Sequence, residues 1–375
     1  MPRHVTFTHQ PVLAERCIAL LGKGVEQAGK NGRALIIDAT LGLGGHSELI
    51  LKTYPQVHLI GIDRDKQALA SSMSRLQNYS QRFKAVHATY DAIGAVASAY
   101  SDDKYPLAAI LMDLGVSSMQ LDDTARGFSY AQDSELDMRM DQSKGKSARE
   151  LLTELSGEQI SKILREYGEE RFATRIARAI VEKRQETPIE TSKQLVEIVR
   201  DSIPAPARRS GGNPAKRTFQ ALRIAVNQEL SILSAAVPTA LDALAPGGVL
   251  VVESYQSLED RIVKQAFRQV VTSQMPGGIP VSKPAAFALL TSGAEKAETG
   301  EIEKNPRSAS VRLRAIQKLV LGRLGDIWRA AAKLGILFPN LFGLHPQLLN
   351  CAQPHRCGAR VFFDFAGFSF FSSTG

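Results

Sequence analysis

Leu107-Ala108-Ala109-Ile110-Leu111-Met112-Asp113-Leu114-Gly115-Val116-Ser117-Ser118-Met119-Gln120-Leu121-Asp122 is the stretch that decides the fold. Its first six residues are an unbroken apolar run and read as a buried strand. The run ends on the carboxylate of Asp113 and passes at once into a polar loop containing Gly115. In open α/β sheets, ligands sit in the crevice outside the carboxyl ends of the strands. Asp113 is therefore expected to face chemistry rather than the core.

Upstream, Ala34-Leu35-Ile36-Ile37-Asp38 and Val57-His58-Leu59-Ile60-Gly61-Ile62-Asp63 repeat the pattern, each an apolar run closed by an acid. Phe83 to His87 reads as a short third strand, which makes Leu107 to Asp113 the fourth. Ser47 to Tyr54 and Asp65 to Leu76 have helical character. Strands alternating with helices predict a parallel, doubly wound sheet. The turn after the first strand, Gly42-Leu43-Gly44-Gly45-His46-Ser47, lets backbone N–H groups approach a ligand. Asp63, about twenty residues on, suits a ribose hydroxyl. A pyridine-dinucleotide fingerprint needs a third glycine where Ser47 stands, which disfavours an NAD-dependent dehydrogenase.

Beyond the fourth strand the alternation stops. From Ser147 to about Ile203 the chain is charged and helical in period, with Leu151, Leu155, Ile160, Ile163 and Leu164 on the apolar positions. Thr187 to Ser192 marks a helix start, Ile203-Pro204-Ala205-Pro206-Ala207 a break, and Thr218 to Ala236 a further helix. Strand character returns at Gly248-Val249-Leu250-Val251-Val252-Glu253. The boundaries expected are 1–125 for the first part of a catalytic core, 126–215 for a helical insertion, 216–317 for the second part of the core, and 318–375 for an atypical tail. That tail holds eight of the fifteen phenylalanines and reads either as a partner-binding extension or as a poorly ordered terminus.

The chain carries 46 Lys and Arg against 38 Asp and Glu, a net charge of +8, which favours a polyanionic partner, nucleic acid first. Arg208, Arg209, Lys216, Arg217 and Arg223 cluster against the single acid Asp201, with Gly211 and Gly212 to make the loop adaptable. Arg307, Arg312 and Arg314 form a second basic strip. Both are candidates for phosphate contact, with a solvated charged face as the plain alternative. Three cysteines are too few for a disulfide framework and fit a reducing cytoplasm. No signal peptide or uncharged run of membrane-spanning length is present, so stable membrane insertion is not expected. Cys351-x3-His355-x-Cys357 matches no common zinc module, and no metal is expected.

DLGVSSxQLD at Asp113–Asp122, preceded by GGHS at Gly44–Ser47 and followed by RGFSY and LDMRMD from Arg126, resembles the bacterial ribosomal RNA small-subunit methyltransferase H (MraW) family. Two further segments resemble it with substitutions. Ser254-Tyr255-Gln256-Ser257-Leu258-Glu259-Asp260-Arg261 has Gln256 where the family's His is usual. Asn213-Pro214-Ala215-Lys216-Arg217-Thr218-Phe219 has Asn213 for His. The likeness spans about His9 to Lys318. It implies a Rossmann-like class I S-adenosylmethionine methyltransferase fold, with a helical RNA-recognition insertion between the fourth and fifth strands. It also implies methyl transfer to the exocyclic N4 of a cytidine in 16S rRNA of the small ribosomal subunit.

By the same resemblance Gly44, Gly45 and His46 contact S-adenosylmethionine, Asp63 holds its ribose, Tyr90 lies against the adenine, and Asp113 and Gln120 complete the pocket. Asp113 is the candidate group that orients the amine and removes its proton. Base stacking must come from Phe128, Tyr130 or Tyr255, for which core packing is an equal alternative. Two rivals remain: an enzyme of the same fold acting on DNA or protein, and a non-catalytic assembly factor. A homodimer is left open.

Overall fold

The computed structural model describes residues 11–208, 213–271 and 285–320. Arg209, His4 and His9, and the tail with its Cys351–Cys357 motif lie outside the described residues.

One seven-stranded sheet organises the molecule, in the order β3-β2-β1-β4-β5-β7-β6. Its strands are β1 (Ala34–Asp38), β2 (Val57–Asp63), β3 (Phe83–His87), β4 (Leu107–Asp113), β5 (Val249–Ser254), β6 (Phe287–Leu289) and β7 (Arg312–Lys318). β1 to β5 are mutually parallel, and β7 runs antiparallel to both β5 and β6. The sheet is the one expected, with the helical insertion between the fourth and fifth strands and a Rossmann-like class I methyltransferase architecture.

Ahead of the insertion come α1 (Ala14–Ala28), α2 (Gly45–Thr53), α3 (Lys66–Arg75) and α4 (Ile93–Tyr100). The insertion holds α5 (Ser118–Asp122), α6 (Ala148–Glu154), α7 (Gly157–Gly168), α8 (Ala173–Glu186), α9 (Ser192–Ser202), α10 (Ala205–Arg208) and α11 (Lys216–Asn227). α12 (Glu229–Ala243) leads back to the sheet, and α13 (Ser257–Val271) and α14 (Thr299–Lys304) follow β5. No single helix among the described residues is long and apolar enough to cross a membrane.

The central strands β1, β4 and β5 are buried on both faces because helices cover both. One face packs Leu35, Ile37, Ile110, Met112, Leu250 and Val252 against α4, α12 and α13. The other packs Ile36, Leu59, Leu111, Val249 and Val251 against α1, α2 and α3. The β1–β4 register slips by one residue between Leu35 and Ile36, so Ala108 and Ala109 both turn toward α1. At that irregularity Gly24 of α1 lies so close that a Cβ would meet the Ala108 carbonyl oxygen at 2.1 Å.

The insertion has its own core: Ile160 and Leu164 of α7, Ile176 and Ile180 of α8, Leu195 and Val199 of α9, and Phe219 and Leu222 of α11. That cluster runs past residue 215, because α11 packs on α7 rather than on the sheet. Capping boxes start four of the helices: Ser117 with Gln120, Ser147 with Glu150, Ser156 with Gln159, and Thr191 with Gln194. The single helix expected over Thr218–Ala236 is two helices. Gln228 adopts a left-handed conformation (φ 53°) and ends α11, while the first residues of α12 begin a new direction.

Candidate functional site

A cleft of about 1040 Å³ opens at the carboxyl ends of β1, β2, β4 and β5, roofed on one side by α11. The turns that follow those strands form its floor. After β1, Gly44 is the N-cap of α2 at φ 75°, a conformation costly for a residue with a Cβ, and Gly45 lies so close to Pro11 that a Cβ would meet Pro11 Cγ at 2.8 Å. The turn is thus held tight and presents the N-terminus of α2 to the cleft. Beneath it Asp38 is buried and accepts the Ser47 hydroxyl at 2.6 Å.

Across the turn stands Asp63 at the tip of β2. One of its oxygens accepts the Gly42 N–H and the other the Asp65 N–H, both at 2.8 Å. Burial pushes its carboxyl up to about 6, against the opposing pull of those two bonds. A carboxylate oxygen accepts more than one hydrogen bond, so the diol of a ribose is within its capacity. Tyr90 lines the next part of the wall, its hydroxyl donating to the Glu229 carbonyl at 3.2 Å.

Asp113 ends β4 in the middle of the floor. Its backbone N–H donates to the Thr40 hydroxyl at 2.6 Å, and its Oδ1 accepts the Tyr255 hydroxyl at 2.8 Å. Burial first, then the carboxylates of Asp113 and Glu253, push the Tyr255 hydroxyl far above the usual phenol range, so it stays a donor. His46 lies behind Asp113. Its Nδ1 is 3.8 Å from Asp113 Oδ2, and its Nε2 is 3.0 Å from the Val12 carbonyl oxygen.

Gln120 lines the cleft but its amide is engaged in shaping it. Nε2 donates to Asp65 at 2.9 Å, and Oε1 accepts the Ser117 N–H at 3.1 Å. Asp65 in turn pairs with Arg126 at 2.9 Å, both side chains buried, and Arg126 donates to the Arg139 and Met140 carbonyls. This chain of bonds fixes the loop after β4 and the root of the insertion to the loop after β2.

The basic candidates divide. Lys216 and Arg217 are exposed on the cleft wall at the start of α11. Arg223 also lines the cleft, but its guanidinium is held bidentate by Glu229 at 2.8 and 2.9 Å. Arg208 is exposed at the end of α10, away from the cleft lining. From the second strip Arg307 and Arg312 line the cleft, whereas Arg314 is paired with Asp260 at 2.7 Å. Of the stacking candidates, Phe128 is buried in the insertion core and Tyr130 meets Phe219 edge-on, with ring centres 5.9 Å apart. Tyr255 is the aromatic beside Asp113.

Sequence reasoning does not find Thr40, Glu253 or the Tyr255–Asp113 bond. Thr40 follows a strand by two residues, which is the one local signal it carries; the bond joins residues 142 apart and leaves none.

Residues 6–319 match the MraW methylase family. The chain is 52% identical over 314 residues to the ribosomal RNA small subunit methyltransferase H of Beutenbergia cavernae, covering 83% of this chain and 92% of that protein. It is 52% identical over 315 residues to the protein of the same name from Salinispora tropica, covering 83% and 84% of the two chains. The Mycolicibacterium smegmatis protein of that name is 51% identical over 315 residues, with the same coverage.

Proposed function

Because the chain belongs to the MraW methylase family, we propose that it methylates the exocyclic N4 of a cytidine in 16S rRNA of the small ribosomal subunit, using S-adenosylmethionine, in the cytoplasm. The observation that carries this reading is the Asp113 carboxylate, held by Tyr255 at the centre of a cleft floored by a glycine turn and a ribose-competent acid.

When bound, S-adenosylmethionine supplies a methyl group already activated by the sulfonium. The glycine turn at Gly44 and Gly45 and the His46 backbone pack against that group, Asp63 takes its ribose hydroxyls, and Tyr90 covers its base. The acceptor amine is a poor nucleophile because its lone pair is conjugated into the ring. Asp113 accepts one N4–H, which fixes the direction of the remaining electron pair, and takes the proton as the nitrogen becomes bonded to carbon. Tyr255 holds Asp113 Oδ1, so the carboxylate meets the amine in one orientation. The target base must leave its stack to reach this floor, which suits a single-stranded or flipped nucleotide. Lys216, Arg217, Arg307 and Arg312 around the rim take the flanking phosphates, and Arg208, with Arg209 outside the described residues, is a further candidate for phosphate contact.

Tritiated methyl transfer to small subunits lacking the modification, followed by nucleoside analysis, tests the whole reading. N4-methylcytidine is the expected product. Transfer to another position, or none despite cofactor binding by calorimetry, would remove it.

A further inference from the structure

α13 starts at the cleft, where Ser257 belongs to the lining, and buries Val263 and Phe267 in the core over the sheet. The side it leaves exposed is formed by Arg261, Lys264, Gln265, Arg268 and Gln269. At about 100° per residue the three cations fall within an arc of roughly 60°, and Arg261 and Arg268 stand about 10 Å apart along the axis. Neither acid of α13 answers this stripe. Glu259 is buried and accepts the backbone N–H groups of Tyr255 and Gln256 at 2.9 and 3.1 Å. Asp260 is held by the Arg314 guanidinium at 2.7 and 3.1 Å. α12 packs in the same core and exposes Ser231, Ser234, Ala235 and Pro238, with no exposed acid before Asp242. A solvated helix face ordinarily mixes both signs of charge, whereas a stripe of one sign attracts a polyanion.

The stripe is continuous with the cleft rim. The Ser257 hydroxyl donates to Glu169 Oε2 at 3.1 Å, and Arg261 lies 3.6 Å from the other oxygen of that carboxylate. Arg217 of the rim donates to the Glu169 backbone carbonyl at 2.6 Å. Arg217 and Arg261 therefore flank one residue. The Arg261–Glu169 pair is a surface contact, which gives way readily to a stronger anion. A membrane surface would need large apolar side chains beside the cations. Among the described residues those exposed are Met73, Tyr100, Leu289, Leu319 and Val320, none of them on α12 or α13.

We propose that the outer face of α13 is a second RNA-binding surface, which holds the strand on one side of the target nucleotide once it has left the cleft. Arg261, Lys264 and Arg268 take successive phosphates, and the amides of Gln265 and Gln269 donate to phosphate or ribose oxygens. The surface reads no bases and sets no product; it lengthens the footprint. The proposal rests on RNA being the methyl acceptor.

Equilibrium binding of the full-length protein to small-subunit RNA across a salt series tests it. Lys264→Glu/Arg268→Glu should weaken binding at least about tenfold at low salt and flatten the slope of log affinity against log salt by about 1.4, two phosphates at 0.7 each. The same variant should bind S-adenosylmethionine as the wild type does, and should match it on a short RNA holding only the target cytidine and its immediate neighbours. Its KM for the long RNA should rise while kcat stays unchanged. Lys264→Gln/Arg268→Gln removes the charges without adding acids and should flatten the slope equally. Lys23→Glu/Lys30→Glu makes the same change in net charge on and after α1, which covers the opposite face of the sheet, and should keep the wild-type slope. A wild-type slope in both α13 variants, or an equal loss in the α1 variant, would overturn the proposal. A wild-type protein that binds the long RNA and leaves it unmethylated would remove the methyl-transfer reading, and the slopes would still decide the role of α13.

Discussion

Asp113 is held by two neighbours it does not share a strand with, Thr40 on its backbone and Tyr255 on its carboxylate. Asp113→Asn retains an oxygen for the Tyr255 hydroxyl and loses the capacity to take a proton. It should lower kcat by about 10²–10⁴ while cofactor affinity and thermal midpoint stay near wild type; single-turnover methylation with calorimetry checks this. Asp63 carries a pH signature. Its carboxyl is raised to about 6 in the ligand-free fold and must be ionised to accept two hydroxyls. Cofactor affinity should be flat above pH 7 and fall as pH drops through 6, by up to about tenfold per unit; affinity constant down to pH 5 would remove Asp63 from the ribose. The same raised carboxyl disfavours the ligand-free fold as pH rises from the unfolded value of 3.8 to about 6. Asp113 and Asp63 are legible in the sequence because each closes an apolar run, and the glycine turn because it follows one. The pairing of Arg223 with Glu229 is not legible in the sequence, because it depends on the kink at Gln228.

The elements repeat that division. β1, β2 and β4 begin and end where their apolar runs do, because a strand buried on both faces has nothing polar to spare until it reaches the cleft. α1 and β6 leave no such mark: α1 begins at a left-handed Leu13 without a side-chain cap, and β6 is three residues long. α1 is nonetheless the helix most tightly fitted to the sheet. Gly24→Ala places a methyl against the Ala108 carbonyl oxygen, a backbone atom at 2.1 Å. The variant should lose about 1–3 kcal/mol, seen as a lower urea midpoint with unchanged slope. Arg126→Met leaves the Asp65 carboxylate in the interior without its counter-charge. It should cost about 3–5 kcal/mol, and proteolysis should cut first near the root of the insertion; a midpoint equal to wild type would show that Asp65 is balanced by another cation.

For the whole molecule, the net charge of +8 points to a polyanion, and the cleft rim gathers part of that charge where a backbone could lie. Lys216→Glu with Arg217→Glu should weaken binding to small-subunit RNA and flatten the slope of log affinity against log salt by about 0.7 for each phosphate no longer neutralised. Filter binding across a salt series reads both, and an unchanged slope would place the phosphates elsewhere. The insertion also sets the order in which the site can come into being. β4 and β5 pair directly, Asp113 opposite Glu253, although the whole insertion separates them in sequence. A growing chain that has just completed β4 owns the glycine turn and both acids, but has neither the strand beside Asp113 nor the tyrosine that steers it. Closing so long a loop is slow unless the segment between has already folded and drawn its ends together. The insertion, with a core of its own, is built to do so, and the candidate site around Asp113 is therefore among the last features of the molecule to be born.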